Sequence, residues 1–112
     1  MWANVTRLLT EVTSLFTNLR VIQSFRDKAL RELWEKRSST KIDPRMQNRI
    51  VRRLDVLDRA VELGDLNVPG FDFHPLRGFS PIRYSLHVNG PCCITFEFSE
   101  GDAHRVDFEQ YH

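Results

Sequence analysis

The sequence lacks the features that would place the protein in a membrane or outside the cell. It has no apolar run close to the ~20 residues that a transmembrane helix needs. Residues 1–20 have no continuous apolar stretch and contain Glu11, which argues against a secretory signal. The two cysteines, Cys92 and Cys93, are neighbours whose side chains would point to opposite faces of a strand. Because such a pair makes a poor structural disulfide, we expect a reduced, cytoplasmic protein.

Common catalytic and ligand-binding motifs are also missing. There is no Gly-rich phosphate loop, no Cys-x-x-Cys pair and no His-Glu-x-x-His segment. The side chains that could bind a metal have no standard zinc-site spacing. These side chains are His74, Cys92, Cys93 and His112. We therefore expect no metal and no other cofactor.

What the sequence does contain is the composition of one folded domain. Its 112 residues are 41% apolar and 28% charged, which is too apolar for a disordered chain and sufficient for one hydrophobic core. Residues 26–59 hold eleven Lys and Arg against six Asp and Glu, whereas residues 62–112 hold three against eight. A basic half beside an acidic half indicates a polar partner for at least one of them, with a merely solvated basic face as the alternative.

Helical patterns dominate the first half. Residues 21–25 are typical of a short strand, and Ser24 is then predicted to cap a helix that ends near Arg37. Asp43-Pro44 predicts the start of a second helix, because Asp is a good N-cap and Pro suits the first helical position. Gly64 is predicted to end this helix. Its apolar stripe consists of Met46, Ile50, Leu54, Leu57 and Val61.

After residue 64 apolar and polar residues alternate, which is typical of strands. The pattern predicts strands over 71–76, 84–88, 92–98 and 104–111, with a hairpin at Asn89-Gly90. The predicted fold is therefore α+β. An N-terminal strand and two helices pack on an antiparallel sheet of about four to five strands.

Polar side chains in the sheet half are the candidates for chemistry. A single histidine on a strand is usually a surface or core residue, and we interpret His87 and His104 in this way. His74 and Arg77 differ, because the short segment His74-Pro75-Leu76-Arg77-Gly78 would hold them near each other. Tyr111 and His112 differ because the sequence ends on them.

Seven short segments between residues 21 and 112 resemble a known family in their order and spacing. They are VIQSF at 21–25, LNVPG at 66–70, HPLRG at 74–78, SLHVNG at 85–90, ITFEF at 94–98, GDAH at 101–104 and VDFEQYH at 106–112. Together they resemble the HigB-type members of the RelE superfamily, the toxins of bacterial toxin–antitoxin pairs. The resemblance covers about four-fifths of the chain.

The resemblance implies a RelE-like fold and cleavage of mRNA on the translating ribosome, which would inhibit translation. The reaction would need no metal, because the RNA 2′-hydroxyl is the nucleophile, and the ribosome would be the activating assembly. The partner would be a HigA-like helix-turn-helix antitoxin, and the pair would contact promoter DNA through the antitoxin alone.

The resemblance also implies roles for individual residues. His74 and His112 would be the acid and the base, Arg77 would bind the scissile phosphate, and Tyr111 would stack on or orient a nucleotide. Further substrate contacts would come from Arg83, Cys93 and Gln110. The ribosome would be contacted through rRNA phosphates by Arg45, Arg49, Arg52 and Arg53.

Two positions depart from the family pattern. Many relatives have an arginine where Cys93 stands, and many have an acidic residue where Gln110 stands, next to Glu109. Arg83, one strand earlier, is the candidate to replace the missing cation. The departures motivate one alternative, a weakened or inert module that only binds its antitoxin. A third interpretation is a redox sensor that uses Cys92 and Cys93.

Residues 1–20 lie outside the resemblance. They have a helical apolar stripe, which includes Trp2, Val5, Leu9 and Val12. Our hypothesis is that natural translation begins at Val21 from a non-AUG codon, with a docking helix as the alternative.

Overall fold

The computed structural model describes residues 21–110, in which two helices pack on one face of a four-stranded antiparallel sheet. The elements are α1 (Lys28–Lys36), α2 (Pro44–Arg59), a 3-10 helix (Leu63–Leu66), β1 (His74–Leu76), β2 (Arg83–Asn89), β3 (Cys92–Ser99) and β4 (Asp102–Gln110). The strands lie in the order β1-β2-β3-β4, so each pairs with the next along the chain. The α+β prediction is confirmed. The predictions for residues 1–20, Tyr111 and His112 fall outside the described residues.

The predicted N-terminal strand is reduced to two isolated bridges beside β4. Ile22 and Phe25 pair in parallel with Ala103 and Val106. The Asp58 carboxylate in α2 accepts hydrogen bonds from the backbone N–H groups of Val21 and Ile22, both at 3.0 Å. This segment therefore joins the last strand to the second helix.

Helix α1 is capped by Asp27 and not by Ser24. The Asp27 carboxylate accepts from the Leu30 N–H at 2.7 Å. The Ser24 hydroxyl instead accepts from the Arg105 N–H at 2.9 Å, which ties the N-terminal segment to β4. The predicted cap is therefore wrong, although the helix does end near Arg37, whose φ of 64° is left-handed.

Helix α2 begins as predicted, with the Asp43 carboxylate accepting from the Arg45 N–H at 2.9 Å and Pro44 in the first turn. It ends earlier than predicted, at Arg59, and Gly64 lies in the 3-10 helix. Val61 is 80% exposed and does not extend the apolar stripe.

The hydrophobic core lies between the two helices and one face of the sheet. Its fully buried members include Leu33, Ile50, Leu54, Leu57, Leu86, Ile94, Phe96 and Val106. Burying a side chain of this size typically contributes roughly 1.5–3 kcal/mol. On β2, Tyr84, Leu86 and Val88 pack toward this core. Strand alternation therefore places Arg83, Ser85 and His87 on the other side, which we call the open face.

Two sheet predictions need adjustment. The first strand covers His74–Leu76 only, because Asp72 has a φ of 47° that breaks extended backbone before it. The β2–β3 hairpin is confirmed, but its turn consists of Gly90 and Pro91, since Asn89 still pairs with Cys92. In the described part of the chain, no helix is both long and apolar enough to cross a membrane.

Candidate active site

A cleft of about 490 Å³ lies on the open face, beside β1 and the loop that follows it. It is lined by Asp72, His74, Leu76, Arg77, Phe79, Ser85, His87, Gly90, Pro91, Cys92 and Cys93. Strand register assembles it, because His74 lies opposite Ser85 and His87 lies opposite Cys93. Residues that are distant in sequence thus form a single concave surface with apolar walls and two imidazoles.

The His74 ring is held in one tautomer. Its Nδ1 lies 2.7 Å from the backbone carbonyl oxygen of Asp72. A carbonyl oxygen only accepts hydrogen bonds, so Nδ1 must carry the hydrogen. In the neutral ring Nε2 therefore keeps its lone pair and is able to accept a proton from a ligand. Asp72 presents this carbonyl from a left-handed conformation that a residue with a side chain seldom adopts.

Arg77 supplies the cleft with a cation. It is exposed, and Gly78, with a φ of 86°, turns the chain immediately after it. None of the ion pairs within residues 21–110 involves Arg77. Its planar guanidinium is therefore available to donate two hydrogen bonds to a phosphate group.

Cys93 forms part of the cleft floor and is 5% exposed. Burial raises the pKa of its thiol, a hydrogen bond with Ser85 partly opposes this, and the nearby Glu109 carboxylate raises it further. The thiol therefore stays protonated near neutral pH and brings no charge to a phosphate. Cys92 packs in the hydrophobic core although part of the residue also lines the cleft, and alternation along β3 places the two side chains on opposite faces as predicted.

The register of β3 and β4 separates Glu109 from Gln110. Glu109 lies opposite Cys93, whereas Gln110 lies opposite Cys92. Because paired residues share a face, Glu109 is on the open face and Gln110 is on the helix side. The predicted substrate contact of Gln110 has no support in this arrangement. The Glu109 carboxylate accepts a hydrogen bond from the Thr95 hydroxyl.

Arg83 does not reach the cleft, so the expectation that it replaces the missing cation is wrong. It is 3% exposed and is absent from the cleft lining. Its guanidinium pairs with the Glu97 carboxylate at 3.3 Å and donates to the Thr95 hydroxyl at 3.0 Å. It also donates to the backbone carbonyl of Arg105 at 2.9 Å. Arg83 therefore links β2, β3 and β4 instead of contacting a ligand.

His87 is a titratable cleft residue that the sequence interpretation missed. Its Nε2 lies 3.1 Å from the Gly90 carbonyl oxygen, so Nε2 carries the hydrogen and Nδ1 keeps the lone pair of the neutral ring. The available signal was alternation along β2 combined with the hairpin turn, which together place His87 opposite Cys93. His104, in contrast, lies opposite Glu97 in the β3–β4 register and does not line the cleft.

The basic side of α2 is smaller than predicted. Arg45, Arg49 and Arg52 are exposed, but Arg53 is only 7% exposed. Burial lowers the pKa of Arg53, and its guanidinium lies 4.5 Å from the centre of the Phe71 ring. It donates to backbone carbonyls in α2, in β2 and before β1. The prediction that Arg53 docks on rRNA is therefore wrong, because its donors are used inside the protein.

The described residues hold no group of three His, Cys, Asp or Glu side chains arranged as a metal site. Fold and site together define a small α+β domain with two helices on one face of a meander sheet. Its opposite face bears a cleft with two oriented imidazoles and the guanidinium of Arg77, which has no ion pair with any described residue. This arrangement suits proton transfer next to a phosphate group.

Comparison with known proteins identifies the family. The family model described as the RelE-like toxin of type II toxin–antitoxin system HigB matches residues 23–112. Endoribonuclease HigB of Proteus vulgaris is 37% identical over 92 residues, which cover 82% of this chain and 100% of that protein. The chain belongs to the family of RelE-like HigB toxins, which confirms the resemblance in the sequence. As a toxin of a type II pair, it has an antitoxin partner.

Proposed function

We propose that the protein is an endoribonuclease that cleaves mRNA held on the ribosome and so inhibits translation. This proposal rests on the presence of both His74 and Arg77 in the lining of one cleft. His74 is fixed at Nδ1 by the Asp72 carbonyl and keeps Nε2 open, and Arg77 is free of ion pairs within residues 21–110. The family membership and the name of the Proteus vulgaris relative support the same activity.

The proposed reaction is attack by the RNA 2′-hydroxyl on the adjacent phosphorus. A base takes the 2′-hydroxyl proton while the O2′–P bond forms and the P–O5′ bond breaks. An acid gives a proton to the departing O5′, which leaves a 2′,3′-cyclic phosphate and a 5′-hydroxyl. Because the nucleophile belongs to the RNA, the reaction requires no metal-bound water.

The cleft residues can be matched to these steps. His74 Nε2 is able to accept or return the proton, and Arg77 stabilises the charge that develops on the phosphate oxygens. The roles of His112 as the second proton-transfer group and Tyr111 as a nucleotide support remain predictions of the sequence resemblance.

We also propose that Arg45, Arg49 and Arg52 contact rRNA phosphates. They are exposed on α2, although Arg45 pairs with the Asp43 carboxylate at 2.9 Å and Arg49 donates to the Val88 carbonyl at 3.2 Å. Charge reversal at Arg49 and Arg52 should weaken ribosome binding and make it less dependent on salt concentration. A sedimentation assay at several salt concentrations measures both. An unchanged salt dependence would rule out this contact.

The second candidate function is a weakened module that binds its antitoxin without cutting RNA. The protonated Cys93 thiol on the cleft floor favours it, because that position offers no charge to the phosphate. Losing one such preorganised donor typically costs roughly 100- to 1000-fold in rate. The antitoxin is proposed to be a HigA-like helix-turn-helix protein, and the pair would contact promoter DNA through it.

A primer-extension assay on mRNA held in the ribosomal A site distinguishes the two functions. The full chain, His74→Ala, Arg77→Met and the matched control His104→Ala would be compared, with naked RNA as a further control. We expect ribosome-dependent cuts that fall by roughly 100- to 10,000-fold in His74→Ala. They should also fall strongly in Arg77→Met and persist in His104→Ala. A folded wild-type protein that binds its antitoxin but leaves the mRNA intact would establish the module instead.

A further inference from the structure

The loop between β1 and β2 exposes two large apolar side chains, one of which lines the cleft. Of the three large hydrophobic residues exposed within residues 21–110, two lie in this loop: Phe79 at 47% and Ile82 at 54%. Phe79 lines the cleft, whereas Ile82 does not. The aromatic ring pairs of residues 21–110 involve Phe73, Tyr84 and Phe96, so the Phe79 ring stacks on no other ring there. An exposed aromatic face therefore borders the cleft.

The position of Phe79 suggests what this face contacts. It follows the phosphate-binding candidate Arg77 by two residues, and both side chains line the same cleft. A nucleotide presents a charged phosphate and a flat base within a few ångströms of each other. Because every base has a π face, an exposed aromatic ring binds unstacked bases with little sequence preference.

The rest of the cleft increases the need for such a contact. Cys93 brings no charge to the floor, and Arg83 is used internally, so among residues 21–110 Arg77 is the arginine that lines the cleft. Fewer phosphate contacts leave a larger share of substrate binding to the base. Leu76 and Pro91 extend the apolar wall on which a base could rest.

We infer that Phe79 is a substrate-positioning residue that stacks on the base of a nucleotide flanking the scissile phosphate. The inference rests on the proposed function for the identity of the substrate. It adds a base contact that explains why this loop exposes a phenylalanine beside Arg77.

The first test measures cleavage of ribosome-held mRNA by the full chain, Phe79→Ala, Phe79→Trp and the matched control Ile82→Ala. Loss of one base stack should lower kcat/KM about tenfold in Phe79→Ala, mainly through KM. Phe79→Trp should retain activity, and Ile82→Ala should stay within about twofold of wild type. The same variants are then assayed on mRNA with an abasic nucleotide at each position flanking the cut. At the stacked position wild type should fall to the level of Phe79→Ala, and the variant should fall no further.

A second test does not depend on catalysis. A ribosome-held mRNA with 2′-O-methyl groups at the cut site and 2-aminopurine at the stacked position binds without being cleaved. Stacking on Phe79 should quench its fluorescence with wild type and with Ile82→Ala, but not with Phe79→Ala. Quenching by a protein that does not cut normal mRNA would refute the proposed function and leave this inference standing.

Three results would overturn the inference. The first is an equal loss from Phe79→Ala on intact and abasic mRNA at every flanking position. The second is unchanged cleavage and quenching in Phe79→Ala. The third is unchanged cleavage together with weaker antitoxin binding, which would make the loop an antitoxin contact.

Discussion

Replacing the buried Arg53 with methionine tests whether this residue is structural. The Arg53 guanidinium donates to the His87 carbonyl from Nε and to the Gly70 carbonyl at 3.4 Å. It also donates to the Arg49 carbonyl at 3.1 Å, but that oxygen keeps the ordinary helical hydrogen bond from the Arg53 N–H. The substitution therefore leaves two carbonyl groups without their donor, at His87 and Gly70.

The magnitude follows from these contacts. A hydrogen bond from a charged donor contributes about 1.5–3 kcal/mol, so two lost bonds would cost about 3–6 kcal/mol. Burial lowers the pKa of this cation, so removing it offsets part of that free-energy cost. The methionine side chain should also keep apolar contact with Phe71. We expect Arg53→Met to lower the free energy of unfolding by about 2–3 kcal/mol. The midpoint of thermal unfolding should fall by roughly 10 °C.

Urea unfolding of the purified protein measures this effect. The midpoint concentration should fall with the m-value unchanged, since the folded state stays compact. Arg52→Met is the matched control one residue away, and we expect a change within about 0.5 kcal/mol because Arg52 is exposed. Equal stability of the two variants would refute the reasoning, since it would mean that the Arg53 hydrogen bonds contribute nothing net.

Three further predictions concern stability. Because the pKa of the Cys93 thiol is raised, the folded protein holds this proton where the unfolded chain loses it. Stability should therefore decline above about pH 9.0, the ordinary pKa of a thiol, and urea titrations from pH 7 to 10 should show a shallower decline in Cys93→Ala. Asp27→Ala should lower stability by about 1 kcal/mol through loss of the α1 cap, as measured by circular dichroism during urea unfolding. Arg83→Met should cost about 3–5 kcal/mol in the same assay, because it removes the buried partner of the Glu97 carboxylate and leaves it the longer contact with exposed Arg105 at 3.9 Å. If Arg83→Met unfolds like wild type, the Arg83–Glu97 pair adds no stability.

Local signals in the sequence were sufficient wherever a short segment specifies its own backbone. Asp43-Pro44 begins α2 because a carboxylate cap and a proline both satisfy the first turn. Gly90 permits the hairpin turn with a φ of 54°. The sequence predicted that His74 and Arg77 lie near each other, because they are only three positions apart, and both do line the cleft.

Other predictions failed where two local solutions were equally good. Ser24 and Asp27 are both competent caps for α1. Residues 21–25 pack beside β4, where the Ser24 hydroxyl accepts a hydrogen bond from the Arg105 N–H. Asp27 is therefore the residue that caps α1. Gly64 was a competent end for α2, but the Asp65 carboxylate accepts from the N–H groups of Val61 and Glu62 and starts a separate 3-10 turn.

The sequence alone therefore indicated the order of the elements, the family resemblance and the closeness of His74 to Arg77. Tertiary structure decided which arginines are available, because burial depends on which elements surround a side chain and not on its charge. Arg53 and Arg83 are thus internal, whereas Arg52 and Arg77 are exposed. Tertiary structure also brought His87 and Cys93 into the cleft beside His74, since strand register places opposite one another residues that no local pattern connects.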